Sequence, residues 1–362
     1  MVVHAEHGDM VGGWPDTRLL ERIGSEAPIV QAPMAGGGGV ALAVGAIEGG
    51  ALGSLPCGML SPAQVREQAA AVREAARGPL NLNFFCHEMP EGADEGPWRA
   101  LLQPYYDEFG AGPAEPAPLR MPFDDAACAA VEDVRPEVVS FHFGLPGEDL
   151  LRRVKATGAL ILGNATNVEE ALWLEARGVD AVIAQGWEAG GHTGRFLDRS
   201  AEPLGLFALL PRVADAVRVP VIATGGIGDA RGIAAALMLG ASAVQLGTAY
   251  LHCPEATISA FHRALLADGP PTLFTNLLTG GLARGFAGRL VRELGPVRPE
   301  APPYPLAAVA LAPIRAAAEA RGDYGFGPLW AGQAAALGER LPARDLTRKL
   351  AAEALALLTR QA

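Results

Sequence analysis

The residues best suited to chemistry lie in glycine-rich segments that directly follow short apolar runs. Gln185-Gly186-Trp187-Glu188-Ala189-Gly190-Gly191-His192-Thr193-Gly194 holds a histidine on such a segment. An imidazole titrates near neutral pH and serves as a base or a hydrogen-bond donor, so His192 is the candidate catalytic residue. Gly225-Gly226-Ile227-Gly228-Asp229 opens a helical pattern after another apolar run, and Gly247-Thr248 follows a third. Backbone N–H groups exposed at such loops bind phosphate without a formal positive charge. Met34-Ala35-Gly36-Gly37-Gly38-Gly39 allows close approach of backbone to a ligand, and Asn83 is a polar residue within an apolar run. Together these predict a phosphorylated cofactor or substrate whose reactive part faces Met34, Asn83, Gln185 and His192. A Schiff-base aldolase is disfavoured, because Gln185 rather than a lysine ends its run. His252, Cys253 and His262 lack metal-ligand spacing, so no metal site is expected.

These segments need a scaffold that gathers them. Eight apolar runs recur: 29–33, 50–55, 80–85, 138–143, 159–164, 181–185, 219–224 and 243–247. Continuous runs of this kind suit strands buried on both faces of a parallel sheet. Helical patterns stand between several of them. Ser61-Pro62 starts one that runs to about Ala76, Asn167 caps one that ends near Gly178, and Asp229 caps one that ends at Gly240. Strands alternating with helices predict an α/β fold, a (β/α)₈ TIM barrel, with an open doubly wound sheet as the alternative. In a barrel the catalytic loops follow the strands, which is where these candidates stand.

Two regions depart from the repeat. Residues 88–124 are rich in Pro, Gly and acidic residues and include Trp98, Tyr105 and Tyr106, which reads as a helical excursion or flap. Residues 254–323 show little strand signal and read as a smaller, mainly helical subdomain covering the substrate. The expected organisation is a barrel over 1–253, that subdomain, and a segment 324–362 returning to the barrel. It includes an amphipathic helix, 346–358, with Asp345 as its cap.

Composition narrows the function. The chain has 362 residues, half of them hydrophobic, and a formal net charge of −11. Lys155 and Lys349 are its lysines, and no basic block marks a nucleic-acid face. Cys57, Cys86, Cys128 and Cys253 form no CxxC pair, which fits a reducing compartment. Met1 to Asp9 lacks a basic region followed by an apolar run, and Val40 to Leu55 is too short and glycine-rich to span a bilayer. A cytoplasmic protein with no membrane partner is expected.

With these residues in view the chain resembles the nitronate monooxygenases, formerly nitropropane dioxygenases, from about Pro28 onward. The resemblance rests on Gln31-Ala32-Pro33-Met34-Ala35-Gly36-Gly37, Asn81-Leu82-Asn83-Phe84-Phe85, Glu188 to Gly194, Ala223-Thr224-Gly225-Gly226-Ile227 and Gln245-Leu246-Gly247-Thr248. It continues through Leu278 to Gly285 and Leu329-Trp330-Ala331-Gly332-Gln333. Gly281-Leu282-Ala283-Arg284 departs from the Arg-Pro-Ala-Arg common in the family, a difference that falls on the lid and substrate pocket.

The resemblance implies an FMN-dependent barrel with a helical second domain over the flavin. It implies that Asn83, Gln185, Gly190, Gly226, Gln245, Leu246, Gly247 and Thr248 hold FMN and that Met34 packs near the isoalloxazine. Gly225 and Gly226, with Gly247 and Thr248, would take the phosphate, and His192 would face the flavin. The reaction implied is oxidation of an alkyl nitronate by O2 to a carbonyl compound and nitrite, in a protein that could be a homodimer. Two other readings compete: an FMN- and NAD(P)H-dependent enoyl-acyl-carrier-protein reductase or related ene-reductase, and a non-catalytic flavin- or phosphate-binding barrel.

Overall fold

A computed structural model describes residues 13–112, 119–198 and 200–359. The reading of Met1 to Asp9 lies outside the described residues. The eight apolar runs each form a strand. They are β1 (Ile29–Gln31), β2 (Gly53–Pro56), β3 (Leu80–Phe85), β4 (Val138–His142), β5 (Leu160–Ala165), β6 (Ala181–Gln185), β8 (Val221–Thr224) and β9 (Ala243–Leu246). All pair in parallel, in the order β1-β9-β8-β6-β5-β4-β3-β2. A parallel bridge between Val30 and Leu52 joins the two ends. There Gln31 N–H donates to the Leu52 carbonyl at 2.9 Å and Leu52 N–H to that of Ile29 at 3.0 Å. The sheet is therefore a closed barrel rather than an open one, a distinction that strand count in the sequence leaves undecided.

The predicted helix starts are present. Ser61 Oγ accepts from Gln64 N–H, and the Gln64 side chain accepts from Ser61 N–H at 2.9 Å, a capping box that opens Pro62–Ala75. Asn167 caps Val168–Ala176 at 2.8 Å, and Asp229 caps Ala230–Met238. The last helix differs from expectation. It spans Ala343–Thr359, so Asp345 lies inside its first turn. Its N-terminal donor is met by a residue distant in sequence: Ala343 N–H donates to Glu255 Oε1 at 3.0 Å. This helix packs against Val40–Glu48 and Ala230–Met238, the first and seventh barrel helices, and so supplies the outer layer that closes the eighth unit.

Between β9 and that helix the chain builds a second body. Its core joins Trp98, Leu102, Tyr105 and Phe109 of helix Gly96–Phe109 to Leu277, Leu290, Leu311, Ile314 and Phe326. The excursion after β3 thus packs with residues far along the chain. Trp98 Nε1–H donates to the Ala307 carbonyl at 3.1 Å, and Tyr105 and Phe109 meet Phe326 edge-on at 5.3 and 5.2 Å. The region after β9 also contains two strands that its composition hides, β10 (Thr272–Thr275) and β11 (Ala283–Phe286). They pair antiparallel with one another, and β11 pairs with β7 (Gly191–His192). Each is four residues long, and their ladder is recruited by tertiary contact rather than by local pattern. No helix among the described residues is long and apolar enough to cross a membrane.

Candidate active site

The carboxyl ends of the barrel strands open onto one cavity of about 530 Å³ beneath the second body. That volume falls within the range of small-molecule and cofactor sites. Met34, Asn83, Gln185, Gly190, His192, Gly225, Gly226, Gln245, Gly247 and Thr248 all line it. Leu246 stands apart. Its side chain is buried in the barrel wall, and its carbonyl takes the Ala32 N–H at 2.9 Å.

The walls are set by hydrogen bonds between neighbouring strands. Asn83 and Ser140 are opposite one another on β3 and β4, and Asn83 Nδ2 donates to Ser140 Oγ at 2.9 Å. Gln185 uses both ends of its amide internally. Its Oε1 accepts from Gly194 N–H at 2.7 Å and from Asn164 Nδ2 at 3.3 Å, and its Nε2 donates to the His192 carbonyl at 3.0 Å. Gln185 therefore closes the loop that carries His192. Beyond that loop the buried carboxylate of Glu170 accepts from Thr166 N–H at 2.7 Å, Thr166 Oγ1 at 2.9 Å, Phe196 N–H at 2.8 Å and Leu197 N–H at 3.3 Å. Several donors on one carboxylate make its burial tolerable and fix the loop's exit.

The other side of the loop is held by the second body. Arg284 is buried, its Nε donates to the Trp187 carbonyl at 3.1 Å, and its guanidinium lies 4.2 Å from the Phe274 ring centre. Phe274 in turn lies against Trp187 with ring centres 3.8 Å apart. In register, Ala283 faces His192 and Arg284 faces Gly191. The imidazole is thus clamped between barrel and lid.

His192 Nε2 lies 2.8 Å from Thr279 Oγ1, while Nδ1 makes no hydrogen bond among the described residues. Phe143, Tyr304 and Trp330 surround the ring at centre distances of 6.1, 5.1 and 5.5 Å. Burial pushes the His192 pKa well below its ordinary 6.5, and the charge of Arg120 pushes the same way, as would protonation of His142 or His87. His192 is neutral at pH 7. Burial likewise lowers His142 to about 4, against the opposing effect of its hydrogen bond to the His192 backbone.

At the opposite end, Gly225 and Gly226 have φ of 105° and 69°, a left-handed conformation that glycine adopts without strain. They turn the chain tightly after β8 and, with Gly247 and Thr248, line the cavity. Thr224 Oγ1 donates to the Gln245 carbonyl at 2.9 Å, and Gly332 N–H donates to Thr248 Oγ1 at 2.9 Å. The Gln245 Oε1 atom is buried without a hydrogen-bond partner among the described residues.

Four contributors escape the sequence reading as site residues. Thr279 and Trp330 stand within quoted motifs but outside the apolar strand ends. Tyr304 and Arg120 lie in regions whose pattern assigns them no place. Their signal is tertiary: each is brought to the cavity region by the second body or by the excursion after β3.

The chain is 44% identical over 345 residues to a nitronate monooxygenase of Paraburkholderia phytofirmans, covering 92% of this chain and 94% of that one. It is 42% identical over 349 residues to a nitronate monooxygenase of Pseudomonas aeruginosa, with 93% and 98% covered. The crystal structure of nitroalkane oxidase from Streptomyces ansochromogenes superposes with a TM-score of 0.87 at 36% identity, covering 95% of this chain and 99% of the other. The nitronate monooxygenase family model matches residues 17–353, and the chain belongs to that family of oxidoreductases.

Proposed function

We propose that this protein oxidises alkyl nitronates with FMN and O2, giving a carbonyl compound and nitrite. The observation that carries the reading is a neutral imidazole with one free nitrogen, fixed in an enclosed cavity that has a backbone-lined anion end. The residues present suit the cofactor. Gly225, Gly226 and Gly247 offer backbone N–H groups for a phosphate. The orphaned Gln245 Oε1 is an acceptor for the N–H of a flavin ring or the hydroxyls of its side chain. Met34 supplies a soft, polarizable wall, with its Sδ 3.7 Å from where a side chain on Gly247 would begin. Asn83 and Thr248 complete the polar lining, and Gln185 and Gly190 shape the wall. When bound, FMN supplies the one-electron chemistry that links nitronate to oxygen.

The protein's own part is binding, orientation and proton control. His192 Nδ1 is the nitrogen available for substrate. If Nε2 carries the proton and donates to Thr279, Nδ1 is a lone pair able to take the α-proton of a neutral nitroalkane. If the Thr279 hydroxyl donates to Nε2, Nδ1 carries the proton and donates to a nitronate oxygen. The hydroxyl rotor of Thr279 thus lets one imidazole serve either form of substrate. The aromatic rings of Phe143, Tyr304 and Trp330 keep water from the reacting carbon.

We place the enzyme in the cytoplasm, supported by four free cysteines; sedimentation would decide between a monomer and a homodimer. The central test is purification without added flavin, an absorbance spectrum, then oxygen uptake and nitrite release with propane-2-nitronate. A yellow protein that consumes oxygen and releases nitrite meets the expectation. A colourless protein that cannot be reconstituted overturns it. Rapid anaerobic bleaching by NADH favours the ene-reductase reading instead.

A further inference from the structure

The charges that line the cavity are few. Among the described residues its cations are Arg120 and Arg315, and its one carboxylate is Glu319. Arg315 Nε pairs with Glu319 Oε1 at 2.7 Å, within one helix, so those two charges cancel locally. The histidines on the wall, His142, His192 and His262, are held uncharged at neutral pH by burial. Arg120 has no carboxylate within ion-pair distance among the described residues. It remains as an uncompensated positive charge on the cavity wall.

Its position is built. The Arg120 carbonyl is bonded to His87 Nε2 at 2.9 Å. The His87 ring meets Tyr304 edge-on at 4.8 Å, and Tyr304 meets His192 at 5.1 Å. Arg120 lines the same cavity as His192, and its charge acts on both His192 and Tyr304. The Tyr304 hydroxyl is buried, and burial raises its pKa against the opposing charge and hydrogen-bonding of the Arg120 side chain.

We propose that Arg120 binds the anionic group of the substrate and sets the preference for a nitronate over its neutral nitroalkane. A guanidinium presents paired N–H donors to two oxygens on one atom, which matches the planar geometry of a nitronate. A neutral His192 cannot supply that charge, so the roles divide: Arg120 attracts the anion, and His192 handles the proton. The assignment rests on the nitronate reading above.

The test separates binding from turnover. Inorganic nitrate is planar, anionic and inert, and its affinity is measured by titration calorimetry on the holoenzyme, alongside KM for propane-2-nitronate and for neutral 2-nitropropane. Arg120→Met should weaken nitrate binding and raise the nitronate KM by about tenfold or more, as expected for loss of a charge-assisted contact. The KM for 2-nitropropane should move by less than about twofold, because no net charge is being bound. Arg120→Lys should recover part of the nitrate affinity, which a merely structural defect would not. Absence of nitrate binding to the wild type, unchanged affinity in Arg120→Met, or equal losses for nitronate and nitroalkane would each overturn the assignment. If the wild type fails to oxidise nitronates while nitrate binding still depends on Arg120, the anion site stands and the oxidation reading falls.

Discussion

Thr279 Oγ1 stands 2.8 Å from His192 Nε2, so the imidazole proposed as catalytic is oriented by a hydroxyl from the second body rather than by the barrel that carries it. Thr279 is buried, and its Oγ1 also lies 3.5 Å from the Gly281 carbonyl and 3.4 Å from the Gly281 N–H. The lid thereby fixes which nitrogen is left for substrate. Thr279→Val keeps the shape and removes the hydroxyl. It should lower kcat with neutral 2-nitropropane by about ten- to a hundredfold, on the scale of general base catalysis, and affect nitronate turnover less. Thr279→Ser should restore most of the loss. Steady-state kinetics with the two substrates decides it, and equal loss with both would refute the orienting role.

Replacement of His192 itself separates its two tasks. His192→Asn retains a hydrogen-bonding group but no base at neutral pH. Turnover of the neutral nitroalkane should fall by about a hundredfold or more, and that of the preformed nitronate by much less. The groups facing His192 are Arg120, His142 and His87, and the charge of Arg120 acts with burial to keep it unprotonated. The wild-type rate with 2-nitropropane should therefore stay level as pH falls from 8 through 6.5 and drop only at lower pH. An acid limb centred on 6.5 would show that the imidazole is not held neutral.

Much of this site was legible in the sequence because its main parts stand at strand ends, where a buried parallel strand meets a glycine. The runs ending at Gln185, Thr224 and Gly247 announce both the strand and the loop after it. What could not be read is what segments outside each element contribute. Glu170 looks like an ordinary first-turn acid of a helix, yet it holds the loop beyond His192. Ala343 begins a helix whose donor is met by Glu255, a partner that local capping rules cannot name. Strands β10 and β11 exist because β7 and each other complete their ladder. In each case the stabilising group lies outside the element itself, and local pattern carries no trace of it.

Three buried histidines make stability depend on pH. His142 and His262 are lowered to about 4, and His192 is lowered well below its ordinary value, burial being the largest cause for each. The unfolded chain binds protons on these groups near pH 6.5, whereas the folded chain does not. Their stabilising effect is therefore present above 6.5 and is lost as pH falls towards 4. Each group adds at most about 1.4 kcal/mol per pH unit to the slope in that window. Urea denaturation at pH 7, 6, 5 and 4.5 should show a progressive fall in the midpoint. His262→Gln should make the decline shallower. A midpoint that does not change between pH 7 and 4.5 would contradict the buried, neutral state of these rings.

Gly190 is where the His192 loop touches the segment that follows β11. A Cβ there would lie 2.6 Å from both the Ala331 carbonyl carbon and the Gly332 nitrogen. Both neighbours are backbone and cannot rotate away as a flexible side chain would. Gly332 is held between two partners, since its own Cβ would sit 2.9 Å from the Glu188 carbonyl and its N–H is bonded to Thr248 Oγ1. Gln333 N–H also donates to the Glu188 carbonyl at 3.0 Å. Gly190→Ala must therefore displace the 331–333 segment and, with it, the Thr248 end of the cavity. The overpacking should cost about 1–3 kcal/mol, read as a lower urea midpoint. The cofactor content of the purified protein should fall, because Thr248 lines the end of the cavity proposed to hold the phosphate. Gly147→Ala, where a Cβ would meet nothing within 4 Å, should leave flavin content unchanged. If Gly190→Ala purifies with full flavin and wild-type stability, the contact between these two segments is not what holds the cavity in shape.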